Sequence, residues 1–379
     1  MIYTDFNGEQ LSLLGFGLMR LPVADGEIDR KQVSEMLDMA ISNGVNYFDT
    51  AWPYHDGKSE TVIGDLLQHY SRISYNLADK YPGHQHFTEH HPEQIFEKQL
   101  EKCKTEYFDY YLMHNICENS IEDYFDPRWK LLDYFLEQKQ QGRIRHLGFS
   151  SHADVPTLKR FLDSEWGKHM EFCQIQLNYL DWTLQHAKEK VELLNERRIP
   201  IWCMEPLRGG RLVEPTAAEP FRWLQEVKGV QMILSGMSTK EQMIENIQIF
   251  SKRSPLTEVE TTQLMQKAKN MLSDIPCTGC RYCCNECPQH LDIPAFMHAL
   301  NDFKVTPEGQ ITFTPIMYIE SLPEHLQPSA CLGCGACSLQ CPQNIDIPSA
   351  MKELSERYSK AIKWSEICNQ RNALAASEK

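Results

Sequence analysis

The sequence predicts an α/β fold: a (β/α)8 TIM barrel followed by a smaller, cysteine-rich domain. Two observations carry this. Strand-like and helix-like runs alternate eight times over about 240 residues, close to the roughly 250 typical of such a barrel. Beyond residue 275 the composition shifts abruptly to Cys, Gly and Pro, and eight of the 14 cysteines fall in two evenly spaced runs. An open doubly wound sheet is the alternative. No G-x-G-x-x-G follows the first strand, which weakens it.

Residues 1–14 read as a hairpin, with Asn7-Gly8 as its turn. The strand-like runs are Gly15–Leu21, Val45–Thr50, Ile73–Ala78, Tyr107–Met113, His146–Ser150, Phe172–Leu177, Ile199–Met204 and Val230–Leu234. Helix-like segments follow them: Lys31–Asn43, Thr61–His69, Pro92–Lys104, Trp129–Gln141, Val155–Asp163, Thr183–Arg198, Ala217–Val227 and Lys240–Phe250. The first has Val33, Leu37, Ala40 and Ile41 at helical spacing. Pro92 suits a first turn, and Gly142 is a stop. Parallel strands joined by right-handed crossovers follow from the alternation. Pro255–Leu272 reads as one more helix. The expected units are a barrel over 1–255, a connecting helix over 256–274, the cysteine domain over 275–350, and a helix and tail over 351–379.

Composition narrows the function. A hydrophobic content of 42% and a charged content of 24% are ordinary for a globular protein. A net charge of −14 argues against nucleic acid or an anionic membrane as partner. No apolar run approaches the roughly 20 residues that span a bilayer. The first residues lack the basic and apolar regions of a signal peptide. A cytoplasmic protein is expected, and there regularly spaced cysteines read as metal ligands rather than disulfides.

Barrel enzymes place their chemistry at the strands' C-terminal ends. Those ends carry Asp49, Lys80, His114, Ser150, Ser151, Gln174 and Glu205, with Tyr54 in the loop after the second strand. Alone, Asp49 could be a helix cap and His114 a structural residue. Together they resemble the aldo/keto reductase family. Phe48-Asp49-Thr50-Ala51 with Tyr54, Ala78-Asp79-Lys80 and Leu112-Met113-His114 match its motifs in order, over roughly residues 10–250. The resemblance implies a catalytic tetrad of Asp49, Tyr54, Lys80 and His114. Tyr54 would protonate the oxygen that hydride transfer leaves charged. Lys80 would lower the phenol's pKa, ordinarily near 10, and Asp49 would hold Lys80. His114 would orient the carbonyl.

The resemblance also implies NADP or NAD as cofactor. Ser150, Ser151 and Gln174 would hold its carboxamide. Met204, Pro206 and Leu207, and the loop of Gly236, Ser238, Lys240, Gln242 and Asn246, would hold the rest. Three departures stand out: Met204 replaces the usual stacking aromatic, Ser151 stands where asparagine is usual, and Lys240 is the loop's only cation. The last puts NADP preference in doubt.

Cys277, Cys280, Cys283 and Cys287-Pro288 form C-x2-C-x2-C-x3-C-P, and Cys331, Cys334, Cys337 and Cys341-Pro342 repeat it. This is the bacterial two-cluster ferredoxin run, whose fourth cysteine ligates the other cluster. Two 4Fe–4S clusters are expected, one on Cys277, Cys280, Cys283 and Cys341, the other on Cys331, Cys334, Cys337 and Cys287. Zinc is the alternative, and zinc pairs usually lack the third and fourth cysteines at this spacing. Asp-Ile-Pro follows each motif, as in a duplication, and Phe303–Leu326 reads as an insertion. Cys284 reads as a bystander.

Weaker features remain. Four histidines in 84–91 suggest a metal or a mobile loop, with His84 or His86 lining the pocket. Trp52 and His55 are candidate pocket walls. Glu205 either faces substrate or pairs with Arg208. The expected activity is interconversion of a small-molecule carbonyl and an alcohol. An external electron-transfer protein is a further expected partner, because clusters move single electrons. The alternative is an electron-transfer or sensor protein whose barrel chemistry is lost.

Overall fold

The N-terminal hairpin forms as expected. β1 (Tyr3–Phe6) pairs antiparallel with β2 (Glu9–Ser12). Asn7 and Gly8 take positive φ values of 53° and 88°, as a two-residue type I′ turn requires. The hairpin's Phe6 and Leu11 pack among Tyr47, Tyr110, Phe172 and Trp202, the side chains that fill the barrel interior. One mouth of the barrel is thereby plugged with apolar rings, and the chemistry is left to the other. In the computed structural model, residues 1–85, 87, 89–213, 216–272, 275–307 and 310–377 are described.

The barrel consists of β3 (Leu14–Gly17), β6 (Tyr47–Asp49), β7 (Asn76–Tyr81), β8 (Phe108–Ile116), β9 (Ile144–Ser151), β10 (Cys173–Gln176), β11 (Ile201–Met204) and β12 (Val230–Gly236). These eight strands close in sequence order, β12 pairing with β3. A two-residue ribbon, β4 (Val23–Ala24) with β5 (Glu27–Ile28), decorates the rim. The outer layer is α1 (Arg30–Ser42), α2 (Lys58–Leu67), α3 (Pro92–Cys103), α4 (Ile121–Phe125), α5 (Leu131–Gln140), α6 (Val155–Asp163), α7 (Asp181–Leu184), α8 (Ala187–Glu196), α9 (Ala218–Leu224) and α10 (Lys240–Ile249). Each barrel strand lies between this layer and the interior. That explains why the strands read as continuous apolar runs rather than alternations.

Three expectations change. The first strand stops at Gly17, and Leu18–Arg20 form a 3-10 turn that carries Arg20 to the rim. The third strand is Asn76–Tyr81, not Ile73–Ala78. Ile73 is 90% exposed in a 3-10 turn, an apolar residue whose β propensity misleads. The helix expected over Thr183–Arg198 is broken into α7 and α8 at His186, whose φ is 52°. The break starts upstream, where Asn178 Oδ1 accepts from the Leu180 and Asp181 amides at 3.1 and 2.8 Å.

Beyond the barrel, α11 (Glu258–Met271) begins with a capping box between Thr257 and Glu260. The cysteine region is duplicated in space as in sequence. α12 (Tyr282–Asn285) packs on α15 (Ala336–Leu339), and α13 (Ile293–Val305) on α16 (Ile347–Lys360). Asp292 and Asp346 cap α13 and α16, with proline in each first turn. Phe296, Leu300, Met351 and Leu354 form their common core.

The expected insertion contains α14 (Phe313–Ser321), and the C-terminal region ends in α17 (Trp364–Ser377) rather than in a single helix and tail. Both return to the barrel. Asn119 Nδ2 donates to the Met317 carbonyl at 2.9 Å, and Asn372 Nδ2 to that of Gln85 at 2.8 Å. Arg208 ties the barrel to the cysteine region further, donating to Asp181 at 3.1 Å and to Asp302 on α13 at 2.6 Å, all three buried. No helix among the described residues is long and apolar enough to cross a membrane.

Candidate active site and cysteine cradles

The parallel register pairs Asp49 with Ala78 at the ends of β6 and β7. This sets Lys80, two residues on, beside Asp49. Lys80 is wholly buried. Its Nζ donates to Asp49 Oδ1 at 2.5 Å and to the Thr50 carbonyl at 2.7 Å, and it lies 5.1 Å from the centre of the Tyr54 ring. Burial works to strip the proton from Lys80, but Asp49 outweighs it and holds the ammonium above its ordinary pKa. An ammonium is thus fixed behind a phenol.

The expected direction of the Tyr54 shift is reversed. Burial raises its pKa, and the net result lies above the ordinary value although Lys80 pulls it down. Edge-on to Tyr54, ring centres 6.2 Å apart, stands His114. Burial, reinforced by His84 and Lys80, holds His114 well below the ordinary imidazole range. It is therefore neutral at pH 7, and its Nδ1 has no hydrogen-bond partner.

These groups face a cavity of about 500 Å³ at the open barrel mouth. Asp49, Tyr54 and His114 line it. So do Ser150, Gln174, Met204, Pro206, Leu207, Gly236, Ser238, Gln242 and Asn246. Three expected residues do not. Lys80 lies behind the wall. Ser151 Oγ is turned to the Ile116 carbonyl at 2.9 Å. Lys240 is paired with Glu35 at 2.7 Å. Gln174 Oε1 is buried without a partner, an orphaned acceptor that an amide donor would satisfy, so the lining suits a nicotinamide carboxamide.

The weaker expectations separate. His84 lines the cavity, His90 bonds the Tyr81 hydroxyl at 2.9 Å, His91 lies at the surface near Glu89, and His86 is outside the described residues. Trp52 lies instead under the Lys102 ammonium, 4.4 Å from its ring centre. His55 Nε2 accepts from the Leu21 amide at 3.1 Å. Glu205 lines the cavity and pairs with Arg20 at 3.5 Å, not with Arg208.

In the C-terminal region, the cysteines gather in crossed quartets. Cys277, Cys280, Cys283 and Cys341 line one cavity; Cys287, Cys331, Cys334 and Cys337 line the other. Among the described residues no three Cys, His, Asp or Glu side chains converge as for a single ion. Four thiols around a cavity suit a larger inorganic core. Cys284 lines neither cavity.

The aldo/keto reductase family model matches residues 13–220, more than half of the chain. The chain belongs to the aldo/keto reductase family. It is an oxidoreductase, and a 4Fe–4S dicluster domain matches at 276–345. The uncharacterized oxidoreductase YqkF of Bacillus subtilis is 25% identical over 304 residues, covering 68% of this chain and 93% of that protein. The NADH-specific methylglyoxal reductase of Escherichia coli is 25% identical over 222 residues, 53% and 65% of the two chains. Among solved structures, holo aldo-keto reductase AKR11C1 of Bacillus halodurans superposes with a TM-score of 0.58 at 23% identity, covering 71% of this chain and 96% of that one. An aldo/keto reductase of Klebsiella pneumoniae in complex with NADP and acetate gives 0.54 at 20%, covering 68% and 92%.

In this aldo/keto reductase the mouth is roofed by the C-terminal region. Phe313 and Met317 of α14, and Trp364 and Arg371 of α17, line the same cavity as Tyr54 and His114. Sequence reasoning missed them, as it missed Arg20, Asn115 and His152 on the wall. Asn115 had a local signal. It follows His114 on the recognised strand, and its amide donates to Ser150 Oγ at 2.8 Å. The roof residues lie some 200 or more positions from the motifs they cover, and nothing in their local pattern announces it.

Proposed function

We propose that the barrel interconverts a carbonyl and an alcohol, with NADP or NAD as hydride source and Asp49, Tyr54, Lys80 and His114 as its catalytic tetrad. The observation that carries this is Lys80, sealed between Asp49 and the Tyr54 ring at the cavity wall. A bound nicotinamide would supply the hydride. As the carbonyl carbon is reduced, the Tyr54 hydroxyl would give its proton to the carbonyl oxygen. Lys80 stabilises the phenolate left behind until solvent reprotonates it. Neutral His114 donates its one N–H to the carbonyl and has no imidazolium proton to transfer. Gln174 and Ser150 hold the carboxamide. Ser238, Gln242 and Asn246 hold the far end, where Lys240, already paired, contributes no free cation. Small-molecule carbonyls are the substrate class, in keeping with the methylglyoxal reductase among the relatives.

The same proposal places a pair of 4Fe–4S clusters in the C-terminal region, one per quartet. Cys280 and Cys334 are exposed, which sets an edge of each cradle within reach of an external electron-transfer protein. The cytoplasm, where thiols stay reduced, suits both.

Tyr54→Phe tests the tetrad. Removing a general acid costs about 10²–10⁴-fold in turnover, so NAD(P)H oxidation with a panel of aldehydes should nearly vanish while nucleotide binding persists. Unchanged turnover would sink the reading and favour a protein dominated by its clusters. The pH profile adds a second test. Because the phenol sits above its ordinary pKa, it stays protonated and carbonyl reduction should hold its rate to about pH 9. A decline between pH 7 and 9 that is absent in the slow residual activity of Tyr54→Phe would contradict the burial effect on Tyr54.

A further inference from the structure

We propose that Arg371 binds a carboxylate beside the reacting carbonyl, making short oxo acids the substrate class of this barrel. The inference rests on the carbonyl-reductase reading above and goes one step past it.

Arg371 lines the cavity that holds Tyr54 and His114. Burial lowers the Arg371 pKa below the ordinary guanidinium value, with Asp56 among the groups that oppose this, and the Arg371 charge adds to the effects that depress the His114 pKa. It is not on a loose tail. Asn372 next to it is bonded to the Gln85 carbonyl at 2.8 Å, Cys368 is wholly buried, and Trp364 stacks on His84 with ring centres 5.6 Å apart.

The other cavity guanidiniums are engaged by protein groups, although Arg208 Nη1 has no partner. Arg20 faces Glu205, Arg208 has Asp181 and Asp302, and Arg211 donates to Gln310 and Thr306. Among the described residues Arg371 has no carboxylate in ion-pair range; its contact is the Trp364 ring, 5.6 Å from the guanidinium carbon. A half-buried cation without an acid is costly unless a ligand supplies the charge. The chain as a whole carries −14, so a lone cation over the reacting groups is not a by-product of a basic surface.

A single guanidinium matches a carboxylate through two parallel hydrogen bonds. The histidine beside it is neutral, so nothing else on this side offers the second positive charge that a phosphate dianion would draw on. In the reading above, the cofactor's phosphates belong to the loop after β12. Since Arg371 lines the same cavity as Tyr54 and His114, a carboxylate bound to it shares that cavity with the reacting carbonyl.

The test compares a short 2-oxo acid with its methyl ester, in wild type, Arg371→Ala and Arg371→Lys, with NAD(P)H binding as the check on folding. Losing a charge-assisted bidentate contact should lower kcat/KM for the acid about 10–100-fold and for the ester less than about threefold. Arg371→Lys should recover some of the loss. If acid and ester fall together, Arg371 acts on Tyr54 or on the roof, and the proposal is overturned; an unaffected acid overturns it as well. Should wild type reduce neither compound, the reductase reading fails, and calorimetry with the non-reducible carboxylate oxamate judges Arg371 separately. Binding to wild type that Arg371→Ala abolishes supports the site; no binding to wild type overturns it.

Discussion

Lys80→Met should both silence the barrel and destabilise it. The ammonium is wholly buried, and it is the partner of Asp49, whose second oxygen has no hydrogen bond. Methionine fills a similar volume but leaves that carboxylate uncompensated in the wall. Removing one member of a buried pair costs about 3–5 kcal/mol, a large share of the roughly 5–15 kcal/mol that holds a typical domain. The double variant Asp49→Asn/Lys80→Met buries no lone charge. It should recover most of the stability and none of the turnover, since Tyr54 still lacks the cation that stabilises its phenolate. Denaturant melts and NAD(P)H oxidation on the same samples separate the two effects. A single variant as stable as wild type would show that Asp49 is protonated or solvated.

The second large effect concerns iron. Cys287 belongs by sequence to the first cysteine run, but it lines the cavity of Cys331, Cys334 and Cys337. Two double variants decide which cradle it serves. Cys287→Ser/Cys334→Ser should damage one cradle and keep about half the iron, whereas Cys287→Ser/Cys280→Ser should damage both and keep almost none. Sequential ligation predicts the reverse. Iron analysis and the visible spectrum of anaerobically prepared protein read the outcome. The variants without iron should also lose the fold around α13 and α16, because that core is small and metal binding there is folding free energy.

The candidate catalytic stretch was legible because its residues lie close together in sequence or at strand ends. Asp49 and Tyr54 are five residues apart in one loop, and Lys80 and His114 sit at ends of runs apolar enough to be recognised as barrel strands. The third strand was misplaced by three residues because Ile73 looked like core and is solvent-exposed. Lys240 looked like the loop's anion-binding cation, since its partner Glu35 is 205 positions away. The sign of the Tyr54 shift was misjudged for a related reason. Sequence names the cation, but the depth of burial that opposes it is a property of the closed barrel.

Residue order alone determined the eight-fold alternation, the two cysteine runs and their duplication, since each depends on spacing along one stretch of chain. Only the tertiary structure decided what covers the barrel mouth. The hairpin plugs one end with Phe6 and Leu11. Arg208 ties α7 to α13, and α17 is held on the loop at His84 and Gln85. These contacts bring Met317, Trp364 and Arg371 over Tyr54 and His114. They join residues hundreds of positions apart, where no periodicity or motif spacing carries a signal.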